Sequence, residues 1–183
     1  MLRITSGTAK GKRLALPTGQ KITAVKEVVK LAVFAILGDK IIEAICLDLY
    51  AGSGNLGIEA LSRGAAHCDL VDESKAASQV IQKNLANCQL ENRATIIWDE
   101  ALKFLANTTD QYDIIFADPY YTELNHRHLI KLAVERLKAS GTLFLFSAAD
   151  QPPIVIPKEL TIPVDVQSRK YGKTLLSMLT RRA

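Results

Sequence analysis

The segment LDLYAGSGNLGIEALSRGA, residues 47–65, decides the fold, because a buried apolar run passes through a glycine turn into a helical pattern. Gly52, Gly54 and Gly57 have the spacing G-x-G-x-x-G, in which the missing Cβ atoms permit a tight turn, close approach of a ligand and packing of a helix on a strand. The spacing alone is a weak signal, but here it joins a strand pattern to a helix pattern. A glycine-rich turn without a ligand is the structural alternative.

The alternation of strands and helices continues along the chain beyond this turn. Apolar runs predict strands at Ile45–Tyr50, Cys68–Val71, Ala94–Trp98, Tyr112–Ala117 and Thr142–Phe146. Helical periodicity predicts helices at Leu56–Ser62, Ser74–Asn87, Ala101–Leu105 and Leu124–Leu137. Further strand candidates lie at Ile162–Arg169 and Thr174–Leu179. Such alternation predicts an α/β fold with a doubly wound, mostly parallel sheet covered by helices on both faces.

The N-terminal residues predict a small extension to this core. Leu2–Ser6 and Lys12–Leu16 flank a glycine-containing turn and predict a short β-hairpin. Val25–Leu37 is apolar at helical spacing and predicts a helix. We expect a single domain over residues 1–183, with the hairpin extension in 1–21 and the helix and core in 22–183.

Composition excludes several classes of protein. Hydrophobic residues make up 48% of the chain, which is typical of a globular protein. Neither a membrane helix of about 18 apolar residues nor a secretory signal is recognisable, so we expect a cytoplasmic protein. The odd number of cysteines and the few histidines lack metal-ligand spacing, so we expect reduced core cysteines and no metal site. These residues are Cys46, Cys68, Cys88, His67, His126 and His128.

The net charge of +4 is distributed unevenly. Residues 1–30 hold seven basic side chains and one acidic one, and residues 166–183 hold five basic side chains and none acidic, whereas the centre is acidic. Basic ends of this kind indicate a polyanion partner such as a nucleic acid, although they could serve solubility alone. The candidate phosphate contacts are Arg3, Lys10, Lys12, Arg13, Arg169, Lys170 and Lys173.

Three acidic residues at strand ends point to an adenosine cofactor. Asp72 lies 20 residues beyond Gly52, where a carboxylate can accept both ribose hydroxyls. Asp48 precedes the glycine turn and can face an ammonium group, and Asp99 can accept from an adenine amino group. An acidic rim suits the sulfonium and ammonium of S-adenosylmethionine better than the pyrophosphate of NAD, which is the rival cofactor. Each acid alone could instead cap a helix.

The segment IIFADPYY, residues 114–121, is a strand that ends in an acid and a proline. A simple turn is the plainer interpretation, since Asp and Pro are common in turns. Beside a methyl donor, however, the Asp118 carboxylate and the Pro119 carbonyl could each accept one N–H of a nucleobase amine. Tyr121 could stack on the base. These residues would act by positioning the amine and stabilising its developing charge.

Five segments together resemble the small-subunit ribosomal RNA (guanine-N2) methyltransferase D family. They are ITSGTAKGKRL (4–14), residues 47–65, VDES (71–74), IIFADPYY (114–121) and RKYGKTLLSML (169–179). The resemblance implies a Rossmann-like class I methyltransferase core with an N-terminal hairpin and an antiparallel final strand. It also implies methyl transfer from S-adenosylmethionine to a guanine N2 amine of 16S rRNA. The rRNA could be free or part of the 30S particle. We favour a monomer for the protein itself.

Two departures from the family pattern leave an alternative function open. Tyr120 stands where the family has a second proline, and residues 22–34 replace the pattern T-R-P-T-S-D-R-V-R-E-A-L-F. The arginine and proline at the start of that pattern are therefore absent. The alternatives are an rRNA-binding assembly protein that has lost turnover and, less in keeping with the acidic rim, a nicotinamide dehydrogenase.

Overall fold

The computed structural model describes residues 2–17, 27–119, 126–151 and 154–183. The helices are α1 Glu27–Leu37, α2 Asn55–Ser62, α3 Lys75–Cys88, α4 Ala101–Asn107 and α5 His126–Glu135. The strands are β1 Ile45–Leu49, β2 His67–Asp72, β3 Ala94–Trp98, β4 Tyr112–Ala117, β5 Leu137–Ala148, β6 Val164–Tyr171 and β7 Thr174–Arg181. Short 3₁₀ helices lie at Gly38–Ile41 and Glu91–Arg93. Among these helices, none combines the length and apolar character needed to cross a membrane.

The described strands form one seven-stranded sheet in the order β3-β2-β1-β4-β5-β7-β6. Strands β1 to β5 pair in parallel, and β7 lies antiparallel to both β5 and β6. The predicted doubly wound sheet and antiparallel final strand are therefore confirmed. The strand order reverses between β1 and β4, and in such sheets ligands bind beyond the carboxyl ends of the strands at this point.

Apolar side chains cover the two faces of the sheet in alternation along each strand. On one face Cys46, Leu70 and Phe116 pack under α1, α2 and α3, and on the other Leu47 and Val71 pack against α4 and α5. Phe34 of α1 lies over Phe116 with 5.8 Å between ring centroids, which places α1 against β4. The predicted core cysteines are confirmed as buried, free thiols: Cys46, Cys68 and Cys88.

The start of β5 differs from its prediction. The strand begins at Leu137, five residues before the predicted Thr142, and the preceding helix ends at Glu135 rather than Leu137. The β4–β5 register shifts between Tyr112 and Ile114, and Ser140 has a φ of 64°. An irregular strand start breaks the two-residue alternation, so the periodicity of the sequence could not reveal it. The predicted helix start at Leu124 lies outside the described residues.

The N-terminal hairpin is present, but its paired strands are shorter than predicted. Arg3 and Arg13 form a single antiparallel bridge, flanked by hydrogen bonds from the Ile4 N–H to the Lys12 carbonyl and from the Leu14 N–H to the Leu2 carbonyl. An isolated pair of such short strands is not stable in water. Its stability must therefore come from contacts with the core.

Polar contacts to α2 hold the hairpin in place. The Glu59 carboxylate, which is fully buried, accepts hydrogen bonds from the backbone N–H groups of Thr5 (2.8 Å) and Ser6 (3.1 Å) and pairs with Lys30 at 3.0 Å. Burial raises the pKa of Glu59, but these hydrogen bonds and the Lys30 charge outweigh it and lower the pKa overall. The Thr8 N–H donates to the Ser62 carbonyl at 2.8 Å. The hairpin therefore docks on the second half of α2, from Glu59 to Ser62.

We expect Gly7→Ala to destabilise this docking far more than Gly11→Ala. A Cβ at Gly7 would lie 1.7 Å from the Ser62 carbonyl oxygen, whereas one at Gly11 meets nothing within 4 Å, and both glycines have positive φ, 80° and 86°. Backbone strain alone should cost Gly11→Ala about 1–2 kcal/mol. The steric clash should raise the cost for Gly7→Ala to about 3 kcal/mol or more.

Urea unfolding measures the two costs, and tryptic cleavage after Lys10, Lys12 and Arg13 reports whether the hairpin has undocked. Equal losses of stability and equal cleavage rates in the two variants would show that the close contact with Ser62 is not significant.

Candidate functional site

The glycine turn joins β1 to α2 at the reversal of strand order. Gly52 and Gly54 have φ values of 58° and 76°, which a residue with a side chain rarely adopts. Gly57 is needed for another reason, because a Cβ there would lie 2.9 Å from both Cys68 and Leu70 of β2. The tight turn and the packing of helix on strand are both as predicted, and the turn brings backbone N–H groups to the sheet's edge.

Asp48 lies inside the protein rather than at its surface. The residue is 2% exposed, and its Oδ2 accepts a hydrogen bond from the Gly57 N–H at 2.8 Å. Burial raises its pKa well above the usual range, and repulsion from Asp118 and Asp72 adds to this effect. The sequence predicted only a partner for the ligand's ammonium. In the structure, one oxygen of Asp48 already holds the first turn of α2.

Asp72 at the end of β2 supports the turn from the other side. Its Oδ2 accepts from the Gly52 N–H at 2.8 Å, and its Oδ1 accepts from the Ser74 N–H at 2.9 Å. A carboxylate has about four lone-pair sites, so both oxygens retain capacity for ligand hydroxyls. Asp72 is not the N-cap of α3, because the Ser74 side chain takes that position and accepts a hydrogen bond from the Ala77 N–H.

A cleft of about 450 Å³ opens between the ends of β2 and β3. Asp99 lines it, but its Oδ1 accepts from Lys103 Nζ at 2.9 Å, and this hydrogen bond lowers the pKa of Asp99. Trp98 also lines the cleft with 62% of its surface exposed, and its Nε1 donates to the Glu73 carbonyl at 2.7 Å. Trp98 was not among the predicted site residues, although its position at the end of a predicted strand could have indicated it.

Asp118 and Pro119 follow β4, next to the end of β1. Ala117 pairs with Leu49, so Asp118 comes directly beyond this pair of residues at the rim. Burial raises the pKa of Asp118 to about 7. In the β1–β4 register Asp48 pairs with Phe116, two residues before Asp118, so the two carboxylates lie near one another. Repulsion from Asp118 accordingly adds to the raised pKa of Asp48. Tyr120 and Tyr121 lie outside the described residues.

The C-terminal basic residues lie level with this rim. Tyr171 pairs with Thr174, and Thr174 pairs with Ala148 at the carboxyl end of β5. The neighbouring side chains on the β6–β7 hairpin are exposed and lie at the edge of the sheet: Arg169, Lys170 and Lys173. These basic groups are therefore exposed at the level of the carboxyl ends of the parallel strands.

The four basic residues of the N-terminal hairpin lie beside α2, and all of them are exposed: Arg3, Lys10, Lys12 and Arg13. The Arg3 carbonyl accepts from Lys30 Nζ at 2.6 Å, and Arg3 Nη2 pairs with Glu27 at 3.1 Å. Lys10 lies near the hairpin tip, where its N–H donates to the Gly7 carbonyl. Because α2 begins at the rim, its far end and the tip lie away from it. Lys12 and Arg13 stand on the returning strand.

Lys30 and Asn55 form a buried polar cluster that the sequence did not reveal. Lys30 is 1% exposed, although it lies in the segment that departs from the family pattern. Its Nζ donates to Asn55 Oδ1 at 2.8 Å and pairs with Glu59. A lysine within a helical apolar pattern is ordinarily interpreted as a surface residue. Only the fold shows that Lys30 reaches the start of α2.

The carboxylates and the glycine turn fit a cationic adenosine cofactor. The rim offers hydrogen-bond acceptors and negative charge, and the described residues show no cluster that could hold a metal ion. The fold and the site define an S-adenosylmethionine-dependent methyltransferase of class I. The family model described as conserved hypothetical protein 95 matches residues 2–180, and the chain belongs to that family.

Similar proteins agree with this class. Ribosomal RNA small subunit methyltransferase D of Escherichia coli is 34% identical over 159 residues, covering 87% of this chain and 75% of that protein. YlbH of Bacillus subtilis, named as an rRNA methyltransferase, is 31% identical and covers 99% of this chain and 100% of its own. A solved Escherichia coli structure, yhhF, described as a methyltransferase, superposes with a TM-score of 0.85 at 29% identity over 99% and 98% of the two chains.

We expect Asp118 to lower stability as the pH rises. Its folded pKa of about 7 lies above the value of about 3.9 for an unfolded aspartate. The folded state therefore binds the proton more tightly, and the free energy of unfolding falls between about pH 4 and pH 7. Asp118→Asn removes this titration and should be more stable than the wild type at pH 8, by up to about 4 kcal/mol. Partial exposure of Asp118 reduces this gain.

Urea unfolding from pH 4 to pH 8 measures the difference, which should shrink towards pH 4. Asp39→Asn, at an exposed position, is the control and should show no such trend. A stability difference for Asp118→Asn that is the same at every pH would contradict the raised pKa.

Proposed function

We propose that this protein transfers a methyl group from S-adenosylmethionine to the N2 amine of a guanine in small-subunit rRNA. The observation that carries the proposal is the position of Asp118 and Pro119, at the end of β4 and beside the glycine turn at the end of β1. The names of similar proteins from several bacteria, ribosomal RNA small subunit methyltransferase D, support small-subunit rRNA as the substrate.

Bound S-adenosylmethionine supplies an electrophilic methyl group on a sulfonium. The N2 amine of guanine is a poor nucleophile, because its lone pair is delocalised into the ring. We propose that the Asp118 carboxylate and the Pro119 carbonyl each accept one N–H of this amine and aim its lone pair at the methyl carbon. A carbon–nitrogen bond forms as the carbon–sulfur bond breaks, and the amine becomes cationic.

Asp118 is suited to this charge change. A carboxylate beside the amine stabilises its developing positive charge, and a pKa of about 7 allows the same group to accept the released proton near neutral pH. The positive charge of the cofactor favours the ionised form of Asp118 in the complex. We propose that Tyr121 stacks on the extruded base.

The remaining site residues follow from the cofactor's chemistry. We propose that Asp72 accepts the ribose hydroxyls, that Asp99 accepts from the adenine amino group after sharing or releasing Lys103, and that Trp98 lines the adenine cleft. Asp48 offers its negative charge to the ammonium end. The glycines Gly52, Gly54 and Gly57 provide the close backbone approach.

We propose 16S rRNA, free or within the 30S particle, as the partner, and therefore a cytoplasmic location. The exposed basic residues at both ends of the chain would contact phosphates: Arg3, Lys10, Lys12, Arg13, Arg169, Lys170 and Lys173. The acidic rim repels phosphate, so the RNA would touch the rim only through a flipped base. An assembly factor without turnover is the less supported alternative, since the strand-end carboxylates of a methyltransferase are all present.

We expect Asp118→Ala to lower the rate of methyl transfer by about 100-fold or more while leaving cofactor affinity nearly unchanged, because the carboxylate acts on the amine. The measurement is transfer of labelled methyl groups to 30S particles from a methylase-deficient strain. Isothermal titration calorimetry gives the affinity of each variant for S-adenosylmethionine. Asp110→Ala, on the exposed loop before β4, is the control.

Mass mapping of the labelled rRNA then identifies the nucleotide. Undiminished transfer by Asp118→Ala would remove Asp118 from the mechanism. The absence of transfer by the wild type to any small-subunit particle would favour the assembly-factor alternative.

We expect reversal of Lys10, Lys12 and Arg13 to glutamate to weaken RNA binding and to flatten its salt dependence. Each phosphate contact that is lost should reduce the slope of log affinity against log salt by about 0.7 for a single-stranded site. Fluorescence anisotropy with an rRNA fragment at several salt concentrations gives the slopes.

The matched control is the double variant Lys40→Glu and Lys158→Glu, at exposed positions outside the two basic ends. An unchanged slope in the triple variant, or an equal change per residue in the control, would show that the hairpin charges serve solubility only.

A further inference from the structure

A buried donor stands without a partner at the start of α2. Asn55 is the first residue of this helix and is 5% exposed, and its Nδ2 has no hydrogen-bond partner among the described residues. In that part of the chain it is the one buried side-chain nitrogen or oxygen of this kind. Buried polar groups are nearly always hydrogen-bonded, so an orphaned donor beside a ligand site indicates that a ligand supplies the acceptor.

The orientation of the Asn55 amide is fixed by Lys30. Lys30 Nζ lies 2.8 Å from Asn55 Oδ1. An ammonium group only donates hydrogen bonds, so the amide oxygen must face it and the amide cannot be flipped. Lys30 itself is held by the Arg3 carbonyl at 2.6 Å and by Glu59 at 3.0 Å. The Nδ2 group is therefore held on the side of the amide away from Lys30.

The position of Asn55 indicates which part of the cofactor it meets. Lys30 approaches from α1, which packs over β4 through Phe34 and Phe116. Asp72, the proposed ribose partner, lies at the end of β2, on the opposite side of β1. Given this proposed placement of the adenosine, Asn55 lies on the side that receives the amino-acid end of S-adenosylmethionine.

The chemistry of that end contains one suitable acceptor. The ammonium and sulfonium groups accept no hydrogen bond, whereas the carboxylate only accepts. The carboxylate is also the one anion of the molecule, and the N-terminus of a helix favours an anion through its free N–H groups and its dipole. The Gly57 N–H already donates to Asp48, so the donors before it in the first turn of α2 are those left for a ligand.

We propose that Asn55 Nδ2 donates a hydrogen bond to the carboxylate of S-adenosylmethionine and that Lys30 is the positioning residue that orients this amide. The inference rests on the proposed placement of the cofactor along the rim. It adds a side chain to the cofactor site and gives Lys30, in the segment that departs from the family pattern, a specific task. Through the Arg3 carbonyl the same lysine also joins the N-terminal hairpin to the cofactor site.

The test compares S-adenosylmethionine with its decarboxylated analogue, which keeps the ammonium, the sulfonium and the adenosine. Calorimetry on the full chain gives both affinities. In the wild type, loss of the carboxylate should weaken binding by about tenfold or more, as expected for a hydrogen bond to a charged group. Asn55→Ala should weaken binding of S-adenosylmethionine by a similar factor but change the affinity for the analogue less than about threefold.

Asn55→Asp keeps the shape of the side chain and an oxygen for Lys30, so it guards against a folding defect in the alanine variant. Its second oxygen would repel the carboxylate, and the preference for S-adenosylmethionine over the analogue should disappear or reverse. Asn107→Ala, at an exposed position on α4, is the control and should keep the wild-type preference. Equal weakening of both ligands by Asn55→Ala, or no weakening of either, would overturn the proposal.

The role of Lys30 has a separate readout. Lys30→Met combined with Glu59→Gln removes the buried ion pair, and the one charge that loses its partner, that of Arg63 at 2.8 Å from Glu59, is partly exposed. Without Lys30 the Asn55 amide is no longer held in one orientation. The preference for S-adenosylmethionine over the decarboxylated analogue should therefore fall by about threefold or more, whereas Glu59→Gln alone should keep the wild-type preference. A preference that survives in the double variant would show that Lys30 serves stability only, since a purely structural role changes the melting temperature and not the ratio of two affinities.

Discussion

The hydrogen bond from the Gly57 N–H to Asp48 Oδ2 is the interaction on which the site depends. It joins the carboxyl end of β1 to the first turn of α2 across nine residues, at 2.8 Å and out of contact with water. Removal of the carboxylate would leave a helix N–H without a partner in the interior, at a cost of about 1–3 kcal/mol. With α2 held in this way, the glycine turn between the two elements has little freedom, and Asn55 and Glu59 on α2 take fixed positions.

The rim combines negative charge with burial, and this combination determines which ligands it accepts. Burial favours the neutral form of both Asp48 and Asp118, and repulsion from Asp118 adds to the raised pKa of Asp48. A cationic cofactor relieves this repulsion, whereas a pyrophosphate would increase it. The methyl donor carries two positive charges, one of which disappears when the methyl group leaves. On the proposed placement of the cofactor, the loss of one positive charge weakens its electrostatic attraction to the acidic rim.

The sequence predicted the sheet and the strand-end acids because both depend on local patterns. The glycine spacing, the alternation of elements and Asp72, Asp99 and Asp118 could be identified from composition and order alone. The buried polar contacts could not, because they join residues far apart in sequence: Thr5 to Glu59 and Ala15 to Asn84, over 54 and 69 residues. Lys30 was missed for the same reason, since a lysine in a helix usually lies at the surface. Trp98 is different, because its place at a strand end was visible in the sequence.

The dependence of the hairpin on distant partners has a consequence for synthesis. Residues 2–17 leave the ribosome well before the residues with which they pair, which are Glu59, Ser62, Asn84 and Asn87. At about 5–20 residues per second, several seconds pass before the last of these contacts can form. During that time Ile4, Ala9 and Leu14, which are buried in the folded protein, remain in water. The basic hairpin therefore stays undocked until partners far later in the chain have been made.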